Sequence, residues 1–187
     1  MKKPNIIITG TPGTGKSTLS SLAAEKIGLK HIDVGEFVKA NECHEGFEES
    51  FQTYILDEDK LCELLEPILE EGGNIIDFHT CDIFPEMYID LLLVLRSSTT
   101  VLYDRLIARG YDKKKLDENM ECEIMQVVLE DARANYSQEI IYELERFLFK
   151  QFYILNFTKI IESVMYLKIK QHVRGYGLQF SPIKYMV

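Results

Sequence analysis

Pro4-Asn5-Ile6-Ile7-Ile8-Thr9-Gly10-Thr11-Pro12-Gly13-Thr14-Gly15-Lys16-Ser17-Thr18 is the stretch on which the fold turns. Its first half is an apolar, β-branched run ended by glycine, the pattern of a strand buried on both faces. Its second half satisfies the spacing G-x-x-x-x-G-K-[ST]. Glycines let a backbone wrap a polyphosphate with successive N–H groups pointing inward. A helix opening near Lys16 adds its positive end. The Lys16 ammonium suits the β- and γ-phosphates, and the Ser17 hydroxyl suits Mg²⁺. Strand, loop and helix in that order predict an ATP-binding, Mg²⁺-dependent phosphoryl-transfer enzyme, with Gly13, Thr14, Gly15, Lys16, Ser17 and Thr18 on the ATP phosphates. The loop says nothing of the acceptor.

Working outward, Leu19, Leu22, Ala23 and Ile27 recur at helical spacing and Gly28 stops the helix. His31–Val34 reads as a second strand, and Gly35 to about Tyr54 as a polar, acidic excursion. Asp57 caps a helix with the apolar stripe Leu61, Leu64, Leu65, Ile68 and Leu69, which Pro67 should kink or shorten. Asn74–His79 and Leu91–Leu95 are further buried strands. A helix runs from Thr99 or Thr100 to Arg109, a charged loop over Gly110–Asp117, and one long helix over Glu118–Gln138 with Met125, Val128, Ala132 and Tyr136 on one side. Ile140–Leu144 reads as a last strand. Strands alternating with helices imply an α/β fold: a parallel sheet with helices on both faces.

The chain has 187 residues and 46% apolar composition, which suits one α/β domain with a sizeable core. Its net charge of −9 argues against a general nucleic-acid-binding face. The charge is uneven: residues 1–145 carry 29 acidic and 14 basic groups, whereas residues 146–187 carry one acidic and seven basic groups. Cys43, Cys62, Cys81 and Cys122 form no C-x-x-C pair, so neither zinc nor a redox pair is indicated. No apolar run is long enough for a signal core or a bilayer span, and the expectation is a soluble intracellular protein.

Four further residues carry candidate chemistry. Asp77 ends an apolar strand, where a carboxylate sits beside the phosphate loop of a doubly wound sheet and shares the metal with Ser17; its plainer reading is a turn cap. Arg105 and Arg109 stand at i, i+4 on one helical face, suited either to the polyanion of phosphoryl transfer or to a solvated basic face. His79, two residues past Asp77, is either a structural histidine or a group that orients attacking water.

Taken together, PNIIITGTPGTGKST, GGNIIDFHTCDIFPE and VLRSSTTVLYDRLIARGYDKKKLDENMECEI resemble the adenylate kinase isoenzyme 6 family, nuclear coilin-interacting ATPase/adenylate kinases, collinearly from Asn5 to about Leu144. The resemblance implies a P-loop nucleoside-monophosphate-kinase fold over residues 1–145. It implies a monophosphate-binding excursion at 33–56 and a short lid at 108–118, which lacks cysteines and so is not zinc-clamped. The implied reaction is ATP + AMP ⇌ 2 ADP with intrinsic ATP hydrolysis. Gly13, Gly15, Lys16, Ser17 and Thr18 match the family's ATP-phosphate positions, Asp77 and His79 its second nucleotide motif, and Arg109 its lid arginine. The family acts in the nucleus on late small-subunit ribosome maturation, with ribosomal protein uS11 and the pre-40S particle as partners. A monomer located in the nucleus, with the cytoplasm as a second compartment, is expected.

The departures are specific. The run that grips the AMP phosphate reads Gly35-Glu36-Phe37-Val38-Lys39, with lysine in place of arginine, and F-P-E-R reads Phe84-Pro85-Glu86-Met87. Lysine keeps the charge and loses the bidentate fork. Residues 146–187 read as a basic, aromatic tail whose sequence does not match the family's closing helix. An ATP-switched assembly factor with little AMP kinase activity is the rival reading.

Overall fold

The computed structural model describes residues 2–49 and 53–145, together with residue 159. The reading of the tail at 146–187 thus lies outside the described residues, apart from Lys159. In chain order the elements are β1 (Ile6–Thr9), α1 (Lys16–Ile27), β2 (Lys30–Asp33), α2 (Val34–Ala40), β3 (His44–Glu48), β4 (Thr53–Leu56), α3 (Glu58–Glu71), β5 (Asn74–Asp77), β6 (Leu91–Arg96), α4 (Thr99–Ala108), α5 (Lys113–Ile124), α6 (Val127–Asn135) and β7 (Ile141–Glu145).

Five strands form one parallel sheet in the order β2-β5-β1-β6-β7. The predicted β1 is its centre: all four residues are buried, as a strand with neighbours and helices on every side requires. Alternation divides the two faces. Ile7, Ile76, Leu92 and Val94 pack with Leu61, Leu65 and Leu69 of α3 and Leu129 and Ala132 of α6. Ile6, Ile8, Ile75, Leu91 and Leu93 pack with Leu19, Ala23 and Ala24 of α1. Each such side chain contributes about 1.5–3 kcal/mol by leaving water, so the sheet centre anchors the domain. Chain order reverses sides at β1: the chain goes from β1 to β2 on one side and later to β6 on the other. The crevice at such a switch point lies at the carboxyl ends of β1 and β5, where the glycine loop and Asp77 sit.

The structure departs from the sequence reading at five places. The excursion is ordered rather than irregular, holding α2 and the β3–β4 antiparallel hairpin. Its helix starts where the Asp33 side chain accepts from the Glu36 N–H at 3.1 Å. α3 passes through Pro67 to Glu71, with Pro67 on its solvent side and Leu61, Leu65 and Leu69 buried before and after it; Leu64 is exposed. β5 stops at Asp77, so His79 lies past the strand rather than on it. The charged loop is short, since the Asp112 side chain accepts from the Lys115 N–H at 2.8 Å and starts α5 at Lys113. The single long helix is two, broken at Gln126, whose φ is 58°. Met125, assigned there to a buried side, is exposed, while Ala132 and Tyr136 are buried.

Candidate active site

The glycine loop is shaped by what lies beneath it. Gly10 has φ 144°, and a Cβ there would stand 2.4 Å from the Leu95 carbonyl oxygen. Gly13 has φ 96°, and a Cβ would stand 2.8 Å from Leu102 of α4. Both approaches let the loop settle onto β6 and α4, which any side chain would prevent. Within the loop, the Thr11 carbonyl accepts from the Thr14 N–H at 3.2 Å and from the Thr14 hydroxyl at 2.8 Å.

Lys16 folds back over this turn, donating to the Gly10 carbonyl at 2.7 Å and the Thr11 carbonyl at 3.4 Å. Burial brings its pKa down to about 8 from 10.5, against the opposing pull of Asp77; Arg109 lowers it further, while Asp33 and Glu123 raise it. A desolvated ammonium held by neutral carbonyls gains when phosphate oxygens replace them, because those partners are charged. Ser17 and Thr18 follow on the exposed side of α1.

Asp77 is 3% exposed and neighbours Asp33 across the parallel register of β2 and β5. Its Oδ2 has no hydrogen-bond partner among the described residues; the nearest basic group is His31 Nε2 at 3.6 Å, itself unpartnered. A buried carboxylate oxygen left open is costly unless a ligand completes it. With a hydroxyl on Ser17, this donor set fits a hard oxygen-seeking cation such as Mg²⁺.

His79 borders a cavity of about 340 Å³. Desolvation lowers its pKa, as does the Lys16 charge, with Asp77 and Asp82 acting in the other direction. The imidazole is accordingly neutral at physiological pH and has a lone pair to offer. Its loop is fastened from below: the Tyr136 hydroxyl donates to the Phe84 carbonyl at 2.8 Å and also to the Cys81 carbonyl. Gly35, Lys39, Tyr54, Phe78, His79 and Asp82 are among the residues around the cavity. Lys39 stands at its exposed side with its ammonium on Glu36 at 2.9 Å. Glu36 raises the Lys39 pKa through that hydrogen bond, so the amine is fully charged at neutral pH. Met87, 81% exposed, is not among the lining residues.

Arg105 donates from Nη1 to the Gly13 carbonyl at 3.2 Å, so it braces the phosphate loop instead of forming a free basic face. Arg109 caps α4 and is close enough for its charge to act on Lys16. The structure therefore gathers Lys16, Asp77, His79, Arg105 and Arg109 around the loop, and Gly35 and Lys39 around the adjoining cavity. Sequence reasoning passed over the aromatic walls Tyr54 and Phe78. It also passed over Glu123, a buried carboxylate that accepts from the Thr11 hydroxyl at 2.5 Å. Its signal was readable: Leu116, Met120 and Glu123 share one face of α5 at i, i+4, i+7, a charge on an apolar stripe. All four cysteines are free, and among the described residues no helix is long and apolar enough to cross a membrane.

Comparison with known proteins agrees with this geometry. The family described as AAA domain matches residues 6–126. The chain is 50% identical over 142 residues to the adenylate kinase isoenzyme 6 homolog of Dictyostelium discoideum, covering 76% of this chain and 81% of that protein. It is 52% identical over 141 residues to the homolog of Schizosaccharomyces pombe, covering 75% and 81%. For the homolog FAP7 of Saccharomyces cerevisiae the identity is 47% over 143 residues, covering 76% and 73%. Among solved structures, shikimate kinase from Acinetobacter baumannii in complex with shikimate superposes with a TM-score of 0.57 at 13% identity, covering 86% of this chain and 94% of that one. That likeness shows the fold, a P-loop kinase fold. The chain belongs to the adenylate kinase isoenzyme 6 family, and it is a P-loop phosphotransferase of the nucleotide kinase kind.

Proposed function

We propose that this chain is a Mg²⁺-dependent adenylate kinase, ATP + AMP ⇌ 2 ADP, with intrinsic ATPase activity. The observation that carries the reading is the cavity of about 340 Å³ whose wall includes Phe78 and His79, directly after the strand end that bears Asp77. In this reading the loop amides and Lys16 hold the ATP phosphates. Ser17 and Asp77 hold Mg²⁺, which when bound offsets phosphate charge. Arg109 and Arg105 stabilise the migrating phosphoryl group, Arg105 also keeping Gly13 in place. AMP enters between Gly35, Tyr54 and Phe78 with its phosphate toward Lys39. Neutral His79 accepts a hydrogen bond from the attacking group, whether the AMP phosphate in its protonated form or a water.

A second reading, an ATP-switched assembly factor with little AMP kinase activity, is favoured by one contact. The Lys39 ammonium is already engaged by Glu36 and lacks the fork that fixes a phosphate's rotation. For the cell, the resemblance to the family supports a role in small-subunit maturation and 18S rRNA processing, with uS11 and the pre-40S particle as partners of a nuclear, and secondarily cytoplasmic, monomer. The net charge of −15 over residues 1–145 suits a basic ribosomal partner. The test is a panel of nucleoside monophosphates assayed with ATP and Mg²⁺. AMP should accelerate ADP formation above the ATP-only rate more than any other acceptor. An ATP-only rate that no monophosphate raises would favour the switch.

A further inference from the structure

The buried carboxylate of Glu123 joins three segments that the chemistry needs in register. It is 3% exposed, near the end of α5, the helix that follows Arg109 and the turn after it. One oxygen accepts from Arg96 Nε at 2.8 Å and the Ser97 N–H at 3.0 Å, at the end of β6. The other accepts from the Thr11 hydroxyl at 2.5 Å, in the phosphate loop. Arg96 adds a bond from Nη2 to the Glu123 carbonyl at 3.1 Å and another from Nη1 to Glu143 of β7 at 3.0 Å.

A buried ion pair of this kind is weak evidence for stability, because well-packed apolar residues would serve as well or better. What a carboxylate adds is direction. Thr11 is the residue whose carbonyl also accepts from Thr14 and from the Lys16 ammonium. Its hydroxyl is tied on one side to α5, and its carbonyl on the other side meets the lysine that binds phosphate.

We infer that Glu123 is a positioning residue: through the Thr11 hydroxyl it sets the first turn of the phosphate loop and ties that turn to α5. Glu123 touches no phosphate in this arrangement and acts through Thr11. The inference rests on ATP binding at the loop and goes beyond it by naming what holds the loop in its binding shape. When the tie is cut, the turn that presents Lys16 gains freedom, so ATP must order it on binding. The loss should therefore appear in affinity for ATP.

The test is a double-mutant cycle on the full chain, with Thr11→Val, Glu123→Gln and both together. Dissociation constants for a non-hydrolysable ATP analogue and melting temperatures are read in parallel. Thr11→Val keeps the Glu123–Arg96 pair and removes only the hydroxyl, so it carries the test even if Glu123→Gln proves unstable; Thr11→Ser returns the hydroxyl. Thr11→Val should weaken analogue binding about tenfold, a charge-assisted hydrogen bond's worth, in a protein that stays folded at the assay temperature although the unpaired Glu123 oxygen lowers its melting temperature. Thr11→Ser should recover most of the affinity. The double variant should bind no worse than Thr11→Val alone, since with the hydroxyl gone Glu123→Gln has no Thr11 link left to weaken. Thr11→Val binding at wild-type strength, Thr11→Ser failing to recover, or the two effects multiplying would each overturn the inference. Failure of the wild-type protein to bind the analogue would overturn the nucleotide reading itself, a different outcome on the same instrument.

Discussion

Lys16 is the residue at which electrostatics and function meet most plainly. With its pKa drawn down to about 8 by burial, Lys16 in the empty site loses its charge as pH rises past 8. Bound phosphates would pull that pKa back up, so only the free enzyme feels the change. KM for ATP should rise toward tenfold per pH unit above 8 while kcat holds; a flat KM up to pH 9.5 would contradict the burial argument. The stability sign is opposite. An unfolded lysine keeps its proton to about 10.5 and the folded one releases it near 8, so stability from this group rises with pH between those values. Lys16→Ala should then nearly abolish turnover and leave the melting temperature equal or higher. Arg109→Ala should lower kcat by about 10²-fold, the scale of a lost charge-stabilising donor. A rise in KM for ATP alone would make it a ground-state anchor. At the acceptor side, Lys39→Arg should raise AMP-dependent ADP formation several-fold by supplying a bidentate fork, with basal hydrolysis unchanged. No gain would remove Lys39 from the account. Met87, outside the cavity lining, has no comparable claim.

Among elements, the break between α5 and α6 is one of two places among the described residues, with Glu42 after α2, where a non-glycine residue takes a left-handed backbone. Gln126 sits at φ 58°, and its side chain is exposed. Left-handed backbone costs a non-glycine residue on the order of 1 kcal/mol, so Gln126→Gly should raise thermal stability modestly, by about 0.5–1 kcal/mol. Destabilisation in a denaturant melt would show that Gln126 is held there without strain. This break also shows why one long helix was read from the sequence. Glu118–Gln138 carries no proline or glycine, and the turn at 126 is enforced by tertiary demands: Glu123 must reach Thr11 and Leu129 must reach the sheet. Elements whose cause is local were legible. β1 and its loop announce themselves by composition, and Asp57 caps α3 as its spacing suggests, accepting from the Lys60 N–H at 3.0 Å. Elements whose cause is a distant partner were not, as with His79, whose place past the end of β5 depends on a loop fastened by Tyr136. The hairpin β3–β4 was hidden because its residues are half polar and largely exposed, leaving no apolar alternation to read.

At the scale of the whole molecule, one sheet carries both halves of the proposed reaction. The glycine loop follows β1, and the loop after β5 lines the cavity proposed for the acceptor, with Asp33 and Asp77 side by side at the ends of adjacent strands. The family is shown by relatives identical to this chain at about half of the aligned residues. The proposed acceptor grip is a lysine, Lys39, already engaged by Glu36 and without a bidentate fork. That grip predicts transfer to AMP in competition with hydrolysis, because water needs no phosphate anchor. The most direct measurement follows the label of γ-³²P-ATP in the presence of Mg²⁺, with and without AMP. Without AMP, label should appear in inorganic phosphate. With AMP, label should also appear in ADP, as the minor product beside phosphate. An absence of labelled ADP at every AMP concentration would contradict the adenylate kinase reading, whereas ADP carrying nearly all of the label would contradict the weak grip assigned to Lys39.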